Sequence, residues 1–112
     1  MPLVNKTKNT VLAKTIIIPG TLIDQSLGLL KYTKPVTMVL HTRFGIHTFG
    51  MRYPIDVLIL DKKNRIAALK KNLKPNRIYL WNMNHSTVIE LPAGILDTTK
   101  TAKNDEVAII KK

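Results

Sequence analysis

The sequence contains no cysteine, few aromatic residues and only 7 acidic residues. Without cysteine, disulfide bonds and thiolate metal ligands are excluded. The longest uncharged apolar runs, such as VLIL at residues 57–60, are far too short to span a bilayer, so no membrane span is expected. Lysines and polar residues interrupt the first 18 residues, where a secretion signal requires an unbroken apolar run. This pattern predicts a cytoplasmic protein.

What the chain does contain is the composition of a globular protein. Its 112 residues are 45% hydrophobic and 22% charged, a length and balance typical of one domain with an ordinary core. Neither repeats nor linkers divide the chain, so a single domain over residues 1–112 is expected. Residues 1–9 are predicted to be a flexible N-terminal tail.

Apolar and β-branched residues recur with the two-residue period of strands. The predicted strands cover residues 10–18, 36–41, 49–51, 55–60, 66–73, 77–81, 86–91 and 107–110. A capping-box pattern predicts a short helix at residues 21–27, and one or two helical turns are expected at residues 95–100. The predicted fold is mainly β: an antiparallel β-sandwich or partly open barrel with two short helices.

Residues 55–60 are predicted to form the central strand, because both of their faces are apolar. Ile55, Val57 and Ile59 alternate with Leu58 and Leu60, so neither face suits solvent. The polar run at residues 61–65 predicts a hairpin loop in which Asn64 tolerates a positive φ, with residues 66–73 as the partner strand.

Two carboxylates interrupt apolar strands and are the first candidates for chemistry. Asp56 shares a strand face with leucines, and Glu90 lies in the apolar run VIELP. A buried carboxylate requires hydrogen bonds or a cation, and for Asp56 the nearest candidates along the chain are Arg52, His47 and backbone N–H groups of residues 45–53. Two alternatives remain open. Either each carboxylate stabilises a turn by hydrogen bonds, or the two carboxylates together act as the acid and base of a hydrolase-type site.

The turn that follows residue 41 favours binding over catalysis. Arg43, His47 and Arg52 supply cationic and imidazole groups, and Gly45 and Gly50 allow close backbone approach. We expect a non-enzymatic site for a small anionic ligand or an acidic partner, with Asp56 and Glu90 completing it. No cofactor is expected.

The charge balance, 18 basic residues against 7 acidic ones, is concentrated in one segment. Residues 62–80 carry seven cations, Arg65 among them, and no acid. Six of these cations are the candidates for contacting nucleic acid: Lys62, Lys63, Lys70, Lys71, Lys74 and Arg77. Strand alternation places Lys70 and Lys71 on opposite faces, which prevents one continuous stripe. The expected result is weak, salt-sensitive and non-specific binding at most.

Metal binding and nucleophilic catalysis are not favoured. His41, His47 and His85 lack the spacing of a ligand set, because Gly45 breaks the extended backbone between the first two. The two serines, Ser26 and Ser86, have no evident base nearby. No metal site is therefore predicted.

Several motifs in order resemble one known family. They are GLL at 28–30, HTFGMRYPIDVLILD at 47–61, KP at 74–75, VIELPAG at 88–94 and NDEV at 104–107. The run resembles the domain of unknown function 192 family, also called uncharacterised protein family 0127, over about residues 10–110. The resemblance implies a small sandwich-like β fold and no established activity, so it assigns no functional residues. Gly50 and Asn64 replace the Trp and Gly usual in bacterial members, and the chain looks closer to short archaeal ones.

Overall fold

Nine strands and one short helix lie in the part of the chain that the structure, a computed structural model, describes: residues 1–19, 36–42, 45–81, 84–85 and 87–111. In chain order they are β1 (Leu3–Asn5), β2 (Thr10–Ala13), β3 (Met38–His41), β4 (Gly45–His47), β5 (Ile55–Leu60), β6 (Ile66–Leu73), β7 (Ile78–Leu80), β8 (Thr87–Pro92), α1 (Ile95–Thr98) and β9 (Val107–Ile109). The helix predicted at residues 21–27 lies outside the described residues.

The strands form three sheets, and every strand pair within them is antiparallel. A four-stranded sheet has the order β3-β8-β5-β6, a three-stranded sheet the order β2-β1-β9, and β4 and β7 form a two-stranded ribbon. None of these sheets closes on itself within the described residues. The mainly β, open sandwich-like prediction is confirmed.

Strand β5 lies inside the four-stranded sheet, as predicted, and is buried on both faces. All six residues of β5 are buried because each face packs against its own apolar cluster. One cluster joins Leu58 to the three-stranded sheet and to Leu96 of α1. The other joins Val57 to Ile46 and Tyr79 of the ribbon. Burial of each fully enclosed aliphatic side chain contributes roughly 1.5–3 kcal/mol.

The hairpin between β5 and β6 also follows the prediction. Asn64 adopts φ 61°, a left-handed conformation that asparagine tolerates. Oδ1 of Asp61 accepts hydrogen bonds from the N–H groups of Lys63, at 2.8 Å, and Arg65, at 3.0 Å. The Asp61 side chain thus satisfies two backbone N–H groups that the turn leaves without a partner strand.

Three local predictions are wrong. Residues 1–9 are not a flexible tail throughout, because β1 is the central strand of its sheet and buries Leu3 in the core. The strand expected at 49–51 lies earlier, at β4, and Phe49 and Gly50 form a turn. The strand expected over 10–18 ends at Ala13; beyond it, Ile17 makes a separate parallel bridge to Met38.

Candidate functional site

Asp56 is buried, as its strand phasing predicts, and both of its carboxylate oxygens accept backbone hydrogen bonds. Oδ1 accepts from the N–H of Asn72 at 2.9 Å. Oδ2 accepts from the N–H groups of Gly94, at 3.1 Å, and Leu96, at 2.9 Å. The predicted partners Arg52, His47 and the N–H groups of residues 45–53 do not supply these three bonds; β6 and the start of α1 do.

Each donor to Asp56 is a backbone group that its own secondary structure leaves unpaired. The pairing of β5 with β6 shifts between Ile55 and Val57, and Asn72 lies in this irregularity with φ 54°. Gly94 is the N-cap of α1, and the first N–H groups of a helix have no partner inside the helix. One carboxylate thus joins a bulge of β6 to the start of α1, which is a structural role.

Glu90 is also buried, but it meets a different environment. On β8 it pairs across the sheet with Met38 of β3 and Val57 of β5, and its exposed fraction is 5%. Burial raises the pKa of Glu90 from 4.5 to about 7. Among the described residues no hydrogen bond or ion pair to its carboxylate is found. Burial, and secondly the negative charge of Glu90, raise the pKa of Tyr53.

The structure does not bring the two carboxylates together. Asp56 lies opposite Leu91 in the pairing of β5 with β8, whereas Glu90 lies opposite Val57. Directly opposed residues share a face of the sheet, and successive residues alternate between faces. Asp56 and Glu90 therefore lie on opposite faces of the four-stranded sheet. A hydrolase that uses them as a pair requires both on one side, and this geometry gives that alternative no support.

The ribbon formed by β4 and β7 carries the most exposed apolar side chains of this region. Ile78 is 61% exposed and Leu80 69%, and they lie opposite His47 and Gly45 on β4. Phe49, 48% exposed, stacks on the His47 ring with 5.3 Å between ring centroids. Arg43, the third predicted member of this turn, lies outside the described residues.

Exposed cations lie on the segments joined to the ribbon strands. Arg52, Lys74 and Arg77 are all exposed and lie on the segments that lead into or out of the ribbon. Residues 45–54 and 74–80 contain no Asp or Glu. We call this region the ribbon surface, defined by the exposed residues His47, Phe49, Arg52, Lys74, Arg77, Ile78 and Leu80.

Thr48 holds the two segments of the ribbon surface together. Its side-chain hydroxyl donates to the carbonyl of Lys74 at 2.6 Å and accepts from the N–H of Arg77 at 2.9 Å. Its backbone N–H donates to the carbonyl of Arg77 at 2.8 Å, and its carbonyl accepts from the N–H of Asn76 at 3.0 Å. Thr48 is completely buried. The cations of both segments are therefore presented on a connected backbone.

The basic segment 62–80 is divided among different places. Lys62 and Lys63 lie at the hairpin tip between β5 and β6. Lys70 pairs with Val57 across the sheet, and Lys71 extends to the opposite side, where its Nζ lies 2.7 Å from Oδ1 of Asp97. Lys74 and Arg77 belong to the ribbon surface. The predicted lack of one continuous stripe is confirmed by this register.

His47 and His85 contact different groups. His47 stacks on Phe49, whereas the backbone carbonyl of His85 accepts a 2.8 Å hydrogen bond from the Trp81 indole. No group of three His, Asp or Glu side chains suited to a metal ion is found in the described part of the chain. Helix α1, with four residues, does not approach the length of a membrane span, and no described helix meets that requirement.

A polar cluster that the sequence patterns did not single out as a site joins both ends of the chain. Asp105, 5% exposed, accepts hydrogen bonds from Asn5 Nδ2 at 3.0 Å and from the N–H of Ala102 at 2.9 Å. Lys8 Nζ lies 2.8 Å from Asp105 Oδ2. The only signal for this cluster was the NDEV motif of the family resemblance, whose Asp is Asp105.

These features define a small, open, mainly β protein with a cationic and apolar ribbon at one side and no assembled catalytic group among its described residues. The model of the DUF192 family, described as an uncharacterized ACR, matches residues 5–109. The chain belongs to this family. It is 32% identical over 111 residues to a UPF0127 protein of Pyrococcus horikoshii, a match that covers 94% of this chain and 96% of that protein.

Two crystal structures share the fold. A protein of unknown function from Novosphingobium aromaticivorans superposes with a TM-score of 0.79 at 18% identity, covering 97% of this chain and 84% of that one. A Sinorhizobium meliloti protein described as a proposed transcription regulator superposes with a TM-score of 0.81 at 16% identity, covering 96% and 89%. At these identities the likeness concerns the fold.

Proposed function

We propose that this protein is a non-enzymatic binding module that takes an acidic protein partner on its ribbon surface. The observation that carries the proposal is the exposure of Phe49, Ile78 and Leu80 on segments that also carry the exposed cations Arg52, Lys74 and Arg77 and contain no acid. Apolar patches with a polar rim are typical of interaction sites on proteins. Complementary charge supplies specificity and speeds association.

The shape of the site favours a partner surface over a small anion. The apolar side chains belong to an exposed two-stranded ribbon, which gives a small ligand little enclosure. Two cavities lined by described residues lie elsewhere, one around Val11 and one around Thr37. A partner that buries Ile78 and Leu80 gains roughly 1.5–3 kcal/mol for each side chain fully removed from water, before the entropic cost of association.

The test uses Trp81 as a reporter, because it is the single tryptophan and directly follows β7. Tryptophan fluorescence is followed during titration with a synthetic peptide of alternating Glu and Leu. Two matched peptides replace all Glu by Gln or all Leu by Ser. We expect the Glu–Leu peptide to bind tightest, with affinity that falls as salt rises.

Variants separate a surface from general charge attraction. Lys74→Glu and Arg52→Glu are expected to weaken peptide binding at least fivefold, whereas Lys62→Glu, which makes the same charge change at the hairpin tip, leaves it within twofold. Equal weakening by all three variants contradicts the ribbon surface.

Two further probes test the other binding hypotheses. Saturable binding of inorganic phosphate or a sugar phosphate, without peptide binding, supports the small-anion alternative. Nanomolar binding of duplex DNA or single-stranded RNA at physiological salt supports the nucleic-acid alternative through the cations of residues 62–80. The description of the Sinorhizobium meliloti protein makes this probe worthwhile, although the shared fold is not a shared function.

A further inference from the structure

An apolar groove lies on the side of the three-stranded sheet, where β2 and the residue after β9 approach the N-terminal residues. It has a volume of about 550 Å³ and is lined by Met1, Pro2, Val11, Lys14 and Ile110. Met1 is 51% exposed, Val11 56% and Ile110 41%. The N–H of Ile110 donates to the carbonyl of Pro2 at 2.9 Å, which joins two of the lining residues. Its volume lies in the range of small-molecule sites.

The lining of the groove carries positive charge. Lys14 is the one charged side chain in the lining, and residues 1–19 and 107–112 contain no acid. Two other lysines of this region are paired: Lys6 lies 3.5 Å from Glu106 and Lys8 lies 2.8 Å from Asp105. Lys14 is exposed and makes no ion pair with any described residue.

We propose that this groove binds a single-chain fatty carboxylate, with the carboxylate on Lys14 and the hydrocarbon chain on Met1, Val11 and Ile110. Four apolar side chains and a single cation match a ligand with one long apolar chain and one anionic head. A second copy of the chain fits poorly, because pairing the groove with itself would bring the two Lys14 side chains together in a protein of net charge +11. The site is separate from the ribbon surface.

The ligand test compares decanoate, decanol and acetate, each below the concentration at which it aggregates. The three probes separate the contribution of the carboxylate group from that of the hydrocarbon chain. Binding is measured by amide chemical shifts of the uniformly ¹⁵N-labelled protein and by calorimetry. Decanoate is expected to bind two- to fivefold tighter than decanol, the contribution of one exposed ion pair. Acetate is expected not to bind. The shifted amides are expected to include Val11, Lys14 and Ile110.

Substitutions in the groove assign the two contacts. Lys14→Gln is expected to lower decanoate affinity to that of decanol, and Lys14→Arg to restore it. Val11→Glu adds negative charge to the groove and is expected to abolish decanoate binding. Because Val11 is exposed, this variant is expected to keep the unliganded melting temperature. Lys62→Gln, at the distant hairpin tip, is the matched control and is expected to bind decanoate like the original chain.

Three results overturn the proposal. The first is no binding of decanoate, or equal binding by the original chain and the Lys14→Gln variant. The second is a concentration-dependent dimer in sedimentation that Val11→Glu dissolves, without decanoate binding, since the groove then serves a second copy. The third is binding to phosphatidylglycerol vesicles without binding of monomeric decanoate, which assigns the groove to a membrane surface. Loss of peptide binding at the ribbon surface does not bear on this site.

Discussion

Replacing Asp56 by alanine removes the acceptor of three backbone N–H groups in a single step. The donor Leu96 is completely buried, while Gly94 and Asn72 lie in more exposed backbone. A buried donor left without an acceptor costs about 1–3 kcal/mol, and water can replace part of the loss at the two exposed positions. We therefore expect Asp56→Ala to lower the free energy of unfolding by about 3 kcal/mol, a large part of the 5–15 kcal/mol typical of a domain.

The matched control is Asp97→Ala, which deletes the same carboxylate at an exposed position of α1. The Asp97 side chain is 70% exposed and pairs with Lys71, and such surface pairs contribute about 0–1 kcal/mol. Asp56→Asn is expected to have an intermediate effect on stability. The asparagine side chain keeps one acceptor oxygen, but its NH₂ group then faces a backbone N–H group, and two donors cannot form a hydrogen bond. The expected order of stability is Asp97→Ala, then Asp56→Asn, then Asp56→Ala.

Urea unfolding, followed by Trp81 fluorescence and by circular dichroism, measures these free energies. Native-state hydrogen exchange adds a local readout: the amides of Asn72, Gly94 and Leu96 are expected to exchange faster in Asp56→Asn than in the original chain, before global unfolding. A midpoint for Asp56→Ala equal to that for Asp97→Ala would refute the reasoning, because it would show that the three hydrogen bonds contribute nothing net.

The remaining predictions concern Glu90, Asp105 and Gly45. The pKa of Glu90 in the folded state, about 7, lies above its ordinary value of 4.5, so the protein takes up a proton on folding between these two pH values. The free energy of unfolding is therefore expected to fall by about 3 kcal/mol as the pH rises from 4.5 to 7. Urea unfolding at several pH values measures this fall, which Glu90→Gln is expected to abolish. Burial acts to raise the pKa of Asp105, but hydrogen bonds from Asn5, Lys8 and Ala102 outweigh burial and lower this pKa. The ionised Asp105 therefore stabilises the folded state above pH 3.8, and this stabilisation is lost as the pH falls below 3.8. Acid unfolding of the Asp105→Asn variant is expected to lack this contribution. A Cβ atom at Gly45 would lie 2.6 Å from both Leu80 Cδ2 and the carbonyl oxygen of Tyr79. Gly45→Ala is therefore expected to displace the ribbon, to lower the free energy of unfolding by about 1–3 kcal/mol and to change the fluorescence emission of Trp81. Unchanged emission and unchanged stability would contradict this packing.

Local patterns predicted the elements that depend on nearest neighbours. The two-sided apolar run of β5 requires burial on both faces, and only a central strand provides it. Asn64 tolerates the left-handed backbone that a short hairpin requires. By contrast, β1 has three residues and no long apolar run, so its place between β2 and β9 depends on pairing with residues about 100 positions away.

For the candidate site, the sequence determined which groups are unusual, and the tertiary structure decided what they meet. Strand alternation is local, so it showed that Asp56 faces the core and that Lys70 and Lys71 diverge. The partners of Asp56 lie 16, 38 and 40 residues away, and no local period encodes them. Thr48 has no sequence signal besides its place in the HTFG motif of the family resemblance, yet it connects the two cationic segments of the ribbon surface. The strand pairing alone separates Asp56 from Glu90, because the register of β5 against β8 decides which side chains share a face.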